Sequence, residues 1–156
     1  MKAKSVREIE RKFLVKRLPP ALRTCRSYPI AQGYLATEND GRHVRVRKKG
    51  KTASLTFKKV GSSSSREERE IKLSAKQFAA LWPATAGRRL RKLRYEVPWK
   101  NLTIEIDIYG GAHRGLIVAE VEFPNHAACR KFRPPPWLGR EVTGNGRYSN
   151  IRLATE

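Results

Sequence analysis

Apolar and charged positions alternate one for one along most of this chain. Glu8, Glu10 and Lys12 fall on one side of the first such stretch, and Ile9, Phe13 and Val15 on the other. That period of two is the signature of a β-strand, whose successive side chains point to opposite faces. The alternation sets Arg45 and Arg47 against Val44 and Val46, Thr56 and Lys58 against Leu55 and Phe57, and Glu70 and Lys72 against Ile71 and Leu73. It continues with Lys92 and Arg94 against Leu93 and Tyr95, Glu105 and Asp107 against Ile104, Ile106 and Ile108, and Glu120 and Glu122 against Val121 and Phe123.

About eight strands are therefore predicted, over 7–15, 27–36, 42–49, 52–59, 66–73, 90–97, 102–109 and 116–123. The breaks carry Gly, Pro, Ser or Asn, as at Pro19 and Pro20, 39–41, Gly50, 61–65, and Gly110 and Gly111. Intervals this short connect antiparallel neighbours. Helices are predicted at 74–82 with Ser74 as N-cap, at 125–132 with Asn125 as cap and Pro134, Pro135 and Pro136 as stop, and in the last dozen residues. The serine run 62–65 reads as a loop, and no repeat or long linker divides the chain. The expectation is one domain over 1–156, its core spanning about 6–150.

Composition changes this picture through charge. Thirty-four Lys and Arg face fourteen Asp and Glu, a net charge of +20, which alone points to a polyanionic partner such as nucleic acid. The acids say more. Eight of the fourteen stand in four strand-borne pairs one residue apart: Glu8 and Glu10, Glu68 and Glu70, Glu105 and Asp107, and Glu120 and Glu122. Like charges so close repel, and a solvated sheet face has no reason to concentrate scarce carboxylates this way. A nucleic-acid module leaves these pairs unexplained, so nucleic acid is expected only as a nonspecific partner.

The fold expected is mainly β with some helix: a closed antiparallel barrel of about eight strands, its charged face turned inward and helices packed outside. Oxygen ligands without convergent His or Cys suit a hard cation, Mg²⁺ or Mn²⁺, which shares its coordination with phosphates. Arg45, Arg47, Lys58, Lys92 and Arg94 supply the positive wall for such phosphates. There is no G-x-x-x-x-G-K-[ST] loop. His43, His113 and His126 are scattered and read as bland, and Cys25 and Cys129 as free thiols. Trp82, Trp99 and Trp137 read as anchors of the outer packing. Arg88, Arg89 and Arg91 read as surface charge or a mouth that attracts anions. No apolar run approaches the roughly eighteen residues that span a bilayer, and the first residues carry no signal-peptide pattern, so no membrane partner and a cytoplasmic location are expected.

The string Glu8-Ile9-Glu10-Arg11-Lys12 resembles the E-x-E-x-K signature of the CYTH superfamily, the triphosphate tunnel metalloenzymes. Arg45-Val46-Arg47, Lys58, Glu68 and Glu70, Lys92 and Arg94, Asp107, and Glu120-Val121-Glu122 follow in that family's order. The strings EIERKFLV, QGYL, LWPAT and PPPW resemble its short bacterial inorganic triphosphatases in particular. The resemblance implies metal-dependent hydrolysis of inorganic triphosphate to pyrophosphate and phosphate. It implies metal binding by Glu8, Glu10 and Glu122 with Glu120 assisting, and phosphate binding by Arg45, Arg47, Lys58, Lys92 and Arg94. It implies tuning of metal or water by Glu68, Glu70 and Asp107, and a Lys12 and Tyr34 dyad for the attacking water, Lys12 also touching substrate. Where short relatives place a lysine before an Arg-Tyr pair, this chain has Gly146 before Arg147 and Tyr148. The same barrel serves thiamine triphosphatases and adenylyl cyclases, and an apolar edge or outer face suits a homodimer.

Overall fold

A computed structural model of the protein describes residues 2–6, 8–60 and 66–156. The predicted loop at 62–65 lies outside them. Alternation becomes strand where it was expected: β2 (Ile9–Val15), β3 (Arg26–Thr37), β4 (His43–Lys49), β5 (Thr52–Val60), β6 (Arg66–Leu73), β7 (Arg89–Trp99), β8 (Leu102–Tyr109) and β9 (Ile117–Phe123). Two further strands, β1 (Lys2–Val6) and β10 (Leu138–Glu141), bring the number to ten. β1 reads Lys-Ala-Lys-Ser-Val, with too little contrast between faces to register as a strand. β10 is four residues long and its pairing with β2 shifts register, so it too escapes a periodicity test.

Every described register is antiparallel, and the hydrogen-bonded order runs β1-β6-β5-β4-β3-β7-β8-β9-β2-β10. Among the described residues that order has two ends, β1 and β10, where a closed ring of about eight strands was expected. The chain forms two compact units, one of residues 1–8, 29–91 and 149–156, the other of 9–28 and 92–148. β3 and β7 each run through both.

In the first unit α1 (Ala75–Leu81) packs on β4, β5 and β6. Its start is fixed by a capping box in which Ser74 accepts from the Gln77 backbone N–H while the Gln77 side chain accepts from that of Ser74. Phe78 stacks on Trp82 at 5.1 Å, and a 3-10 turn over Trp82–Thr85 follows. That turn lies directly on β3: a Cβ at Gly33 would stand 2.5 Å from the Thr85 side chain. α3 (Asn150–Thr155), capped by Ser149, buries Leu153 and Ala154.

In the second unit the apolar sides of β2, β7, β8 and β9 form the core, with Phe13, Val97, Ile104, Ile106, Val121 and Phe123 buried against Phe132 and Trp137. Each such side chain contributes about 1.5–3 kcal/mol. α2 (His126–Lys131), capped by Asn125, covers β2 and β9. Phe132 packs edge-on to Phe123 at 5.3 Å. Arg11 lies over Phe13 and Phe132 and pairs with Glu141, which fastens β10 beside β2. The strands thus keep their apolar side against helices and turns, and the alternate positions are left for charge.

Gly33→Ala forces Thr85 or β3 to move, so its expected effect is a loss of about 1–3 kcal/mol in unfolding free energy, read by urea denaturation. Unchanged stability would mean that the turn does not rest on β3.

Candidate active site

Strand register arranges the charged positions into rows. In the first unit Tyr34, Arg45, Thr56 and Glu70 lie side by side across β3, β4, β5 and β6. Gln32, Arg47, Ser54 and Lys72 form the next row, and His43, Lys58 and Glu68 a third. Much of this face is buried: Gln32, Tyr34, Arg45 and Thr56 are 0%, 1%, 7% and 1% exposed. These are not positions of a solvated surface.

Arg47 Nε donates to Gln32 Oε1 at 3.0 Å, and Gln32 Nε2 donates to the Tyr34 hydroxyl at 3.2 Å. Thr56 donates to Glu70 at 2.9 Å. Lys58 Nζ lies 3.5 Å from Glu68 and 3.9 Å from Glu8. Arg45 Nε and His43 Nε2 are buried and have no hydrogen-bond partner among the described residues. Gln32 and Thr56 were not picked out as site residues in the sequence, because uncharged polar residues alternate in any strand, and His43 was read as bland.

The second unit carries its own rows: Glu10 opposite Glu122; Lys12, Glu120, Glu105 and Glu96; then Asp107 opposite Arg94. Lys92 Nζ and Arg94 Nη2 approach Asp107 Oδ2 at 2.7 and 2.8 Å, and Arg94 Nε approaches Oδ1 at 2.7 Å. Arg94 Nη1 reaches Glu105 at 2.8 Å. All three members of the triad are buried. Burial alone would push the Asp107 carboxyl up, yet Lys92 and Arg94 hold it far below the usual carboxylate range. Arg94 is correspondingly raised, burial opposing its charge and Asp107 outweighing that.

Lys12 Nζ sits 3.0 Å from Glu120 and donates to the Tyr148 carbonyl at 3.1 Å. Burial raises the Glu120 carboxyl, and the ammonium groups of Lys12 and Lys92 bring it below its ordinary value. The segment after β10 holds the backbone of Lys12 as well: its N–H donates to Thr143 Oγ1, and its carbonyl accepts from Val142. The turn Gly146–Tyr148 therefore meets the charged face through a backbone carbonyl. Tyr28 donates to Glu96, and burial with that bond raises its phenol.

Within the second unit Lys12 meets Glu120, and Lys92, Arg94 and Glu105 meet around Asp107; within the first, Lys58 meets Glu68 and Glu8, Glu70 meets Thr56, and Arg47 meets Gln32. Among the described residues, no three His, Cys, Asp or Glu side chains come close enough to hold a metal ion by themselves. Arg89 is not loose surface charge. Its guanidinium lies 4.4 Å from the Trp82 ring centroid and donates to Thr85 and to the Trp82 carbonyl, so it holds the 3-10 turn in place. Arg88 likewise donates to the Ala84 carbonyl. No helix of the described residues is long and apolar enough to cross a membrane.

The model of the CYTH domain family matches residues 6–131. An inorganic triphosphatase from Nitrosomonas europaea is 44% identical over 149 residues, covering 94% of this chain and 96% of the relative. Another inorganic triphosphatase, from Acetivibrio thermocellus, is 34% identical over 149 residues, 94% of this chain and 92% of that one. The crystal structure of an inorganic triphosphatase superposes with a TM-score of 0.76 at 40% identity, covering 97% of this chain and 96% of that one.

Asp107→Asn leaves two buried cations short of a counter-charge, and a loss of about 3–5 kcal/mol at neutral pH is expected in urea unfolding. The Asp107 carboxyl is depressed in the folded state, so its contribution is present above the unfolded carboxylate value of about 3.9 and lost as pH falls below it. The variant's acid limb should accordingly be shallower than that of the wild type. Equal stabilities and equal acid limbs would remove the triad from this account.

Proposed function

The chain belongs to the CYTH domain family, and on that premise we propose that it hydrolyses inorganic triphosphate to pyrophosphate and phosphate with the help of Mg²⁺ or Mn²⁺. The observation that carries the proposal is Arg45, a guanidinium 7% exposed whose Nε has no hydrogen-bond partner among the described residues. A buried cation without a counter-charge is costly, and an anion that arrives with its own charge removes that cost. The relatives at 44% and 34% identity, both inorganic triphosphatases, support linear triphosphate as that anion.

Phosphate binding is assigned first to Arg45, with Arg47 and Lys58 beside it. In the second unit phosphate binding is assigned to Lys92 and Arg94; Arg94 already gives Nε, Nη1 and Nη2 to carboxylates, so its part is chiefly electrostatic. Tyr34 is held by Gln32 and presents its hydroxyl on the same face as Arg45. Glu68 and Glu70 orient Lys58 and Thr56. Lys12 is a site residue of the second unit: two of its three donors engage Glu120 and the Tyr148 carbonyl, and the third is left for a water or a phosphate oxygen.

The donor set fits a hard cation. Glu10 and Glu122 face each other across β2 and β9 with oxygen donors only, and Mg²⁺ binds through one or two carboxylates, waters and substrate phosphates rather than in an all-protein cage. Glu10 and Glu122 would hold it, Glu120 would assist, and Glu8 remains the fourth carboxylate proposed for this role. When bound, such a cation neutralises charge on the phosphates and on the departing pyrophosphate.

Phosphate release from inorganic triphosphate tests this reading. Turnover should require added Mg²⁺ or Mn²⁺ and vanish in excess chelator. Glu122→Gln and Arg45→Ala should each cost on the order of a hundredfold or more in kcat/KM, while Arg133→Ala, at an exposed site in α2's trailing segment, stays within about twofold. Full activity in chelator, or equal effects at Arg45 and Arg133, would contradict it.

A further inference from the structure

His43 stands two residues before Arg45 on the same face of β4, and nothing in its sequence context marks it as functional. Its surroundings do. Nδ1 lies 3.0 Å from the Gly41 carbonyl, an oxygen that can only accept, so Nδ1 carries the hydrogen. In the neutral ring Nε2 is then a bare acceptor, and it is buried without a partner. The ring is held edge-on to Tyr34 at 5.4 Å, and Lys58 is its register partner on β5. Buried polar atoms are almost always satisfied, and an orphan is costly. His43 Nε2 and Arg45 Nε are the two orphans among the described residues, and they belong to one strand face.

We propose that His43 is a ligand of the phosphate chain, its Nε2 meeting one phosphate oxygen while Arg45 meets another. This rests on the triphosphate reading above and adds a residue to it. Residues i and i+2 of a strand are about 7 Å apart, a separation that neighbouring phosphoryl groups of one chain can bridge.

The contact requires a proton, because a bare Nε2 and a phosphate oxygen are both acceptors. The charged and titratable groups around His43 are Arg45 on its own strand, Tyr34 on β3, Lys58 on β5 and Glu68 on β6. In the free protein burial lowers the imidazole pKa; the Gly41 bond opposes this, and Arg45 and Lys58 add to the lowering. An arriving polyanion offsets both cations and makes the imidazolium the favoured form. His43 then takes up one proton from solvent and donates it in a hydrogen bond from Nε2, with no covalent change. Binding therefore tightens as pH falls through the imidazole range, by the share that belongs to His43.

The test is calorimetric titration of the full chain with a methylene-bridged, non-hydrolysed triphosphate analogue and Mg²⁺. It is run at about pH 6 and about pH 8.5, either side of the ordinary imidazole value, in buffers of different protonation enthalpy. The analogue also titrates here, so the readout is the difference between wild type and variant. His43→Phe keeps the ring against Tyr34 and removes the nitrogen; His43→Gln keeps a donor that needs no proton. Wild type should bind about tenfold or more tighter than His43→Phe at the lower pH, with the gap narrowing at the higher. Its proton uptake should exceed that of both variants, and His43→Gln should fall between the two in affinity. Equal affinities and equal uptake in all three would overturn the role of His43 and leave the triphosphate reading standing. Absence of binding by the wild type would overturn both.

Discussion

Burying charge is the constraint on which the rest of this structure depends. A side chain of Lys or Arg can leave water only if something replaces its hydration, and thirty-four such residues share fourteen carboxylates. Two buried cations are answered by one acid: Asp107 receives Lys92 and Arg94 together, deep in the second unit. Such a triad adds little net stability compared with apolar packing, and its members cannot be removed singly without leaving an unpaired charge inside. Its consequence is geometric. Arg94 cannot rotate away from β8, and Glu105, one residue pair along, is drawn to the same guanidinium.

In the first unit the matching is incomplete. Lys58 is answered by Glu68 and Glu8 at 3.5 and 3.9 Å, and Arg45 Nε by no group among the described residues. A face with buried, under-compensated cations is prepared for an anion, because the cost of desolvating those cations was met when the protein folded and need not be met again on binding. The alternation that makes these strands also makes this possible. One face can be apolar enough to bury under α1, α2 and the 3-10 turns while the other holds charge at every second position.

That alternation is also why so much was legible in the sequence. Strands β2 to β9 appear within a residue or two of where the period of two places them, and Ser74 and Asn125 cap α1 and α2 as their side-chain chemistry predicts. The charged positions of the candidate site could be read as well, since paired carboxylates such as Glu120 and Glu122 stand out in a chain so rich in Lys and Arg. The pairing could not. Which acid meets which base depends on register between strands distant in the chain, as between Lys12 and Glu120, and periodicity within one strand says nothing about its neighbour's offset. His43 was illegible for a related reason. A lone histidine in a strand looks ordinary until the Gly41 carbonyl fixes its tautomer and its other nitrogen is seen to lie buried. Arg89 looked like loose charge until the position of Trp82 showed what it holds.

Selection of a short linear polyphosphate over other phosphoanhydrides is the proposed property open to test. The most direct measurement is a phosphate-release panel with inorganic triphosphate, pyrophosphate, ATP, thiamine triphosphate and long-chain polyphosphate, each with Mg²⁺ or Mn²⁺. kcat/KM for inorganic triphosphate should lie at least about tenfold above that for every other substrate, equivalent to about 1.4 kcal/mol of transition-state preference. Preference for ATP or thiamine triphosphate, or no release from inorganic triphosphate with either metal, would contradict it.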